Sequence, residues 1–189
     1  CISVGGMINN VKTFASVLMP GVQHMRHTHL PEHKFVSGQP ETGADRADDL
    51  ERIAINFGPE NIAACIVEPI AGSTGTLVPP KGYLQKLRDT CDKYGILLIF
   101  DEVITGWGRT GSSFASIEYG VTPDIMTMAK ATTNGVVPMG VVACRDEIYD
   151  SVMDASPMGS VELFHGYTYS GIPVAVAAAL AVQDIFEKE

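Results

Sequence analysis

The chain has few aromatic residues (7%), a single tryptophan and only 19% charged residues in 189, against 46% apolar ones. That profile belongs to a soluble globular domain and excludes disorder and collagen. Its four cysteines, at positions 1, 65, 91 and 144, include no C-x-x-C pair. Cys65 and Cys91 lie inside apolar patterns, so the set reads as reduced core thiols of a cytosolic-type protein. No apolar run is long: Ile172 to Val182, Pro173 included, has 11 residues where a helix needs roughly 20 to cross a bilayer. Cations are scarce, 13 Lys and Arg against 22 Asp and Glu for a net charge of −9, which argues against a sequence-independent grip on nucleic acid and for a small partner. Residues 1–20 lack a basic stretch followed by a compact apolar one, so no signal peptide is expected. The first residue is Cys1 rather than Met, the mark expected of a piece of something longer.

What is present reads as alternating strands and helices. Leu50, Ile53, Ala54 and Phe57 recur at i, i+3, i+4, i+7 before Gly58-Pro59, predicting an amphipathic helix with Asp45 or Asp48 near its start. Ile62–Val67 is an apolar run too short for a helix and predicts a buried strand. Leu84, Leu87, Cys91 and Tyr94 predict a second helix stopped by Gly95, and Ile96–Phe100 a second strand, so residues 62–100 form a strand–helix–strand unit of the parallel kind. Further strands are expected at Ile125–Ala129 and Met139–Cys144, a short helix at Ile148–Met153 and an Ala-rich one at Ile172–Lys188. The sheet is expected to be buried on both faces. No repeat or linker is visible; everything after about Asp45 reads as one α/β domain. Residues 1–44 are rich in loops, with a short apolar stretch at Phe14–Met19.

In open α/β sheets, ligands bind beyond the carboxyl ends of the strands. Glu68, Asp101 and Lys130 each follow an apolar strand, which directs two acids and an amine toward one edge. Taken singly, Asp101 and Glu102 could equally cap the following turn. Leu97-Leu98-Ile99-Phe100-Asp101-Glu102 also resembles a Walker B strand, but its companion G-x-x-x-x-G-K-[ST] is absent. His24, His27, His29 and His33 are dense enough to consider a metal. No cysteine stands nearby, and Pro20, Gly21 and Pro31 break any helix that would align them, so a loop packing its imidazoles is the preferred reading. An acid at one strand end and a lysine at another suit pyridoxal phosphate, whose ring nitrogen must stay protonated beside a carboxylate and whose aldehyde needs an amine.

Leu98-Ile99-Phe100-Asp101-Glu102-Val103-Ile104-Thr105-Gly106-Trp107-Gly108-Arg109-Thr110-Gly111 resembles the cofactor-binding segment of class III aminotransferases, which are fold-type I pyridoxal phosphate enzymes. Ile66-Val67-Glu68-Pro69, Pro123-Asp124-Ile125 leading to Ala129-Lys130, and His165-Gly166-Tyr167-Thr168-Tyr169-Ser170-Gly171 agree, in order and at family spacing. The resemblance implies an α/β large domain with a mostly parallel sheet and flanking helices. It makes Lys130 the lysine that binds pyridoxal 5'-phosphate and shuttles the proton. Asp101 then partners the ring nitrogen, Val103 presses on one ring face and Glu68 supports the network beneath. Thr168, with the backbone near Tyr167, reaches the cofactor phosphate of a neighbouring subunit, which implies a homodimer; the reduced cysteines make the expected compartment the cytoplasm.

Family members that act on ornithine or 4-aminobutyrate carry Gln at the place of Ile104 and Glu at that of Ser73. The combination found here looks instead like the ω-amino acid:pyruvate group, especially β-alanine–pyruvate transaminases. The expected partners are therefore a small amino donor and a keto acid, with no nucleic acid and no membrane. Acetylornithine, diamine and 4-aminobutyrate transaminases remain alternatives, as does a non-catalytic α/β binding module. By the same resemblance residues 1–189 are the central part of the large domain. The ring-stacking aromatic residue would precede Cys1 and the carboxylate-binding arginine follow Glu189, so the piece alone is expected to be inactive.

Overall fold

The computed structural model describes residues 2–158 and 163–188. Two compact units, Cys1–Leu98 and Ile99–Glu189, make up the chain, and the division falls inside a strand rather than at a linker.

In the first unit, helix α1 (Ile8–Thr13) and several 3-10 turns lie among loops, followed by α2 (Asp48–Phe57), β1 (Ala64–Val67), α3 (Tyr83–Tyr94) and the start of β2 (Leu97–Asp101). Leu50, Ile53 and Ala54 of α2 and Leu84, Leu87 and Cys91 of α3 are buried where their helices pack together. This is the apolar stripe the spacing predicts, with one exception. Phe57, the last residue of α2, is 51% exposed, because the helix ends there and the stripe runs past the surface that α3 covers. Gly95 stops α3 with φ +67°, its N–H bonded to the Cys91 carbonyl; glycine takes this left-handed turn without a Cβ penalty. Leu97 N–H donates to the Ala63 carbonyl at 3.1 Å and sets the start of β2 beside β1.

Residues 1–44, without periodicity of their own, are moored by side chains. Arg26 donates from Nε and Nη2 to the Asp49 carboxylate at 2.9 and 2.8 Å, and its backbone N–H adds a third bond at 2.9 Å. Buried His33 takes the Leu30 N–H on Nδ1 and lies 3.2 Å from Thr42 Oγ1 through Nε2. His24, His27 and His29 are exposed. Among the described residues no group of three His, Cys, Asp or Glu is placed to hold a metal ion, and no helix is long and apolar enough to cross a membrane.

In the second unit, the end of β2 pairs in parallel with β3 (Ile125–Met128), in the register Ile99 with Ile125 and Asp101 with Thr127. Strand β4 (Val141–Cys144) returns antiparallel, Met128 opposite Val141. Helices α4 (Ala115–Glu118), α5 (Asp146–Asp154) and α6 (Pro173–Lys188) flank these strands in the sequence. Mostly parallel strands with flanking helices are the α/β architecture expected.

The expectation of a sheet buried on both faces does not hold. Phe100 is fully buried, but Val142 of β4 is 69% exposed. β4 pairs with β3 along one side only, so an apolar run there reports strand propensity rather than burial. For the same reason Cys144, at the end of β4, is exposed and not a core thiol, whereas Cys65 and Cys91 are buried and reduced. Cys1 lies outside the described residues.

Candidate active site

The parallel register of β2 and β3 decides what reaches the sheet edge. Side chains alternate along β2, so Leu98 and Phe100 enter the core and Asp101 emerges at the carboxyl end, half-buried. Its Oδ1 accepts the Val103 N–H at 3.1 Å, which turns the chain as it leaves the strand. Asp101 sits opposite Thr127 of β3, neighbouring strands lying roughly 4.8 Å apart, and Lys130 follows Thr127 by three residues, just past the end of β3. Asp101, Val103 and Lys130 thus share one edge of the second unit.

Lys130 stands on an unusual backbone. Extended Ala129 is followed by Lys130 at φ +48°, the first residue of a 3-10 turn, Lys130–Thr133, that ends at Asn134 with φ +51°. For a side chain with a Cβ this conformation costs about 1–2 kcal/mol, and strain of this kind gathers at functional positions. The turn is over-determined. Gly135 N–H bonds the Lys130 carbonyl at 3.0 Å, Thr132 Oγ1 the Ala129 carbonyl at 3.1 Å and Thr133 Oγ1 the Val137 carbonyl at 2.6 Å, both threonines being 2% exposed. The Lys130 side chain leaves this rigid base into solvent. Among the described residues neither its amine nor Asp101 Oδ2 has a hydrogen-bond or ion-pair partner.

After Asp101 the chain makes a loop whose Trp107 is also left-handed (φ +59°) and lies edge-on to Phe114 at 5.4 Å and to Phe186 of α6 at 5.6 Å. Glu102, weighed from the sequence only as a cap of the next turn, is fully buried and accepts three hydrogen bonds from residues 105, 115 and 116. The sequence pattern assigned Glu102 no place in the site and did not mark the Thr132-Thr133 pair. The alternation of adjacent strand residues could have found Glu102, since it must face away from Asp101.

Of the remaining expected residues, Glu68 belongs to the first unit and Tyr167 and Thr168 to the second. In the first unit, half-buried Glu68 follows β1, and its Oε2 accepts the Gly72 N–H at 2.9 Å. This braces a loop closed where Ala71 and Leu77 exchange backbone hydrogen bonds at 3.1 and 2.9 Å; Ser73 is exposed on it. In the second unit, Tyr167 and Thr168 lie in an exposed turn before α6. Tyr167 N–H bonds Ser170 Oγ at 3.1 Å, Ser170 N–H bonds the Tyr167 carbonyl at 2.9 Å, and the rings of His165 and Tyr167 meet edge-on at 5.3 Å.

The family model described as aminotransferase class-III matches residues 1–189. An omega-aminotransferase from Caulobacter vibrioides is 56% identical over 189 residues, covering 100% of this chain and 43% of the relative. A beta-alanine--pyruvate aminotransferase from Pseudomonas aeruginosa is 49% identical over 189 residues, covering 99% of this chain and 42% of the relative. The crystal structure of an (S)-enantioselective omega-transaminase from Thermomicrobium roseum superposes with a TM-score of 0.86 at 41% identity, over 98% of this chain and 40% of that one. The chain therefore spans less than half the length of the relatives it matches.

Proposed function

The chain belongs to the class-III aminotransferase family, and we propose that the whole protein moves an amino group from an ω-amino acid or amine, such as β-alanine, to pyruvate, with pyridoxal 5'-phosphate as cofactor. The observation that carries the reading is the placement of Asp101, at the end of β2, opposite Thr127 of β3, three residues before Lys130 on its locked left-handed turn. The likeness to omega-amino acid transaminases supports the choice of substrates.

The residues fit the cofactor chemically. Asp101 retains a carboxylate oxygen uncommitted among the described residues, suited to a protonated ring nitrogen. The uncommitted Lys130 amine, held by its rigid base, is suited to an aldehyde and to carrying a proton. When bound, the cofactor supplies a cationic ring that draws electrons from the substrate carbon. Asp101 then holds the ring proton, Val103 restricts the ring from one face, and Glu68 keeps the 69–77 loop in shape. Thr168 offers hydrogen-bond donors on an exposed turn that the Tyr167–Ser170 hydrogen bonds shape, and in this reading it serves, with the backbone near Tyr167, the cofactor phosphate of a partner subunit in a homodimer. The buried, reduced Cys65 and Cys91 suit a cytoplasmic setting.

The test is a donor panel. The complete protein, loaded with cofactor and pyruvate, is assayed for alanine formation from β-alanine, a diamine, ornithine, acetylornithine and 4-aminobutyrate. Preference for β-alanine over the other donors is the expected result. Preference for 4-aminobutyrate, a diamine, ornithine or acetylornithine would reassign the substrate group, and no transfer from any donor would count against the transaminase reading.

A further inference from the structure

Glu102 stands between two residues assigned to the cofactor, yet the chemistry proposed above does not use it. It is 0% exposed, and a carboxylate is retained out of water only where donors satisfy it. Oε2 accepts Thr105 Oγ1–H at 2.8 Å and Ala115 N–H at 2.8 Å, and Oε1 accepts Ser116 N–H at 2.8 Å. The two N–H bonds lie in the short range of charge-assisted bonds, and the hydroxyl bond is at the ordinary O–H···O distance. The backbone of the same residue is equally engaged. Its N–H donates to the Thr127 carbonyl at 2.9 Å and its carbonyl accepts the Gly106 N–H at 3.0 Å.

Five bonds at one residue therefore join three segments. Thr127 is the β3 partner of Asp101 and lies three residues before Lys130; Thr105 and Gly106 lie early in the loop that starts at Val103; Ala115 and Ser116 end it at the first turn of α4. The loop is drawn in tightly. A Cβ placed on Gly106 would come within 3.0 Å of the Glu102 carbonyl oxygen and 3.2 Å of Phe114 Cδ1. Because Asp101 and Val103 flank Glu102, any slackening of the clamp moves both.

We infer that Glu102 is a positioning residue of the active site: its buried carboxylate closes the 103–116 loop and thereby fixes Asp101 and Val103 relative to β3 and Lys130. The clamp is a property of this chain alone. Its consequence for turnover rests on the proposed function.

Glu102→Gln replaces an acceptor oxygen by an NH2 group that meets another donor, and Thr105→Val removes one of the three donors while leaving the carboxylate and the other two in place. Both are made in the complete protein. Without cofactor, hydrogen exchange of the Ala115 and Ser116 amides is expected to accelerate on the order of 10-fold in Glu102→Gln, with a smaller change in Thr105→Val. With cofactor saturating and the temperature well below unfolding, kcat is expected to fall roughly 100-fold in Glu102→Gln, while KM for pyruvate stays put and the visible circular dichroism of the bound cofactor changes. Unaltered amide exchange overturns the clamp. A lowered melting temperature with wild-type kcat and dichroism in the loaded, folded variant overturns the positioning role and leaves Glu102 as a stability residue. If Glu102→Gln does not fold, the same readouts on Thr105→Val decide. A wild-type protein that binds no pyridoxal phosphate would remove the functional reading, and the exchange experiment would still uphold or overturn the clamp.

Discussion

Replacing Lys130 by glycine and by alanine separates what the position costs the fold from what it gives the chemistry. Both substitutions remove the amine, so both should abolish covalent capture of the cofactor. They differ in the backbone. At φ +48° alanine keeps the left-handed penalty of about 1–2 kcal/mol that lysine bears, and glycine escapes it. Glycine also loosens the unfolded chain, which offsets about 0.4–1 kcal/mol of the relief, leaving roughly 0.5–1 kcal/mol in favour of glycine. The assay is urea unfolding of the two cofactor-free variants in the complete protein. At a slope of about 2 kcal/mol per molar, the Lys130→Gly midpoint should lie roughly 0.25–0.5 M above that of Lys130→Ala, which should itself match the wild type. A glycine variant equal to or below the alanine variant would refute the argument that the lysine is held under backbone strain by the turn beneath it.

Asp101→Asn should leave the fold intact and lose most of the rate, on the order of 3 kcal/mol or more in the barrier, measured as kcat with saturating donor; near-wild-type turnover would mean another group keeps the ring protonated. The Arg26 guanidinium holds the Asp49 carboxyl below its usual range, chiefly by their hydrogen bonds and despite burial. A depressed folded value means that this stabilisation is present above the unfolded carboxyl's pKa and is lost as pH falls through the folded one. Acid unfolding monitored by circular dichroism below about pH 4 should accordingly be shallower in Asp49→Asn, which should also be less stable near neutrality. Finally, if subunits pair as proposed, Lys130→Ala and Thr168→Ala, each inactive alone, should recover one working site in two when subunits are exchanged; absence of recovery would assign Thr168 to its own subunit.

The strands and helices were legible because each has its own pattern. β2 was expected at Ile96–Phe100 and runs Leu97–Asp101, and the Ala-rich helix was expected from Ile172 and starts at Pro173. Such patterns report what a segment can bury, not what covers it, which is why Phe57, Val142 and Cys144 are exposed against expectation. Residues 1–44 had no period to read, since their order comes from single polar contacts such as Arg26 with Asp49. At the site, Asp101 and Lys130 were legible from their places after apolar runs. The left-handed backbone of Lys130 was not, because nothing in a lysine marks a positive φ. Glu102 was visible as an acid, but its three donors are spread from residue 105 to residue 116 and only folding brings them to one carboxylate.

The proposed chemistry turns on which lysine carries the cofactor. The complete protein, incubated with pyridoxal 5'-phosphate and reduced with borohydride, should yield a single modified peptide with the adduct on Lys130 and no visible absorbance of this kind in Lys130→Ala. An adduct mapped to Lys12, Lys34, Lys81, Lys86, Lys93 or Lys188, with Lys130 unmodified, would contradict it.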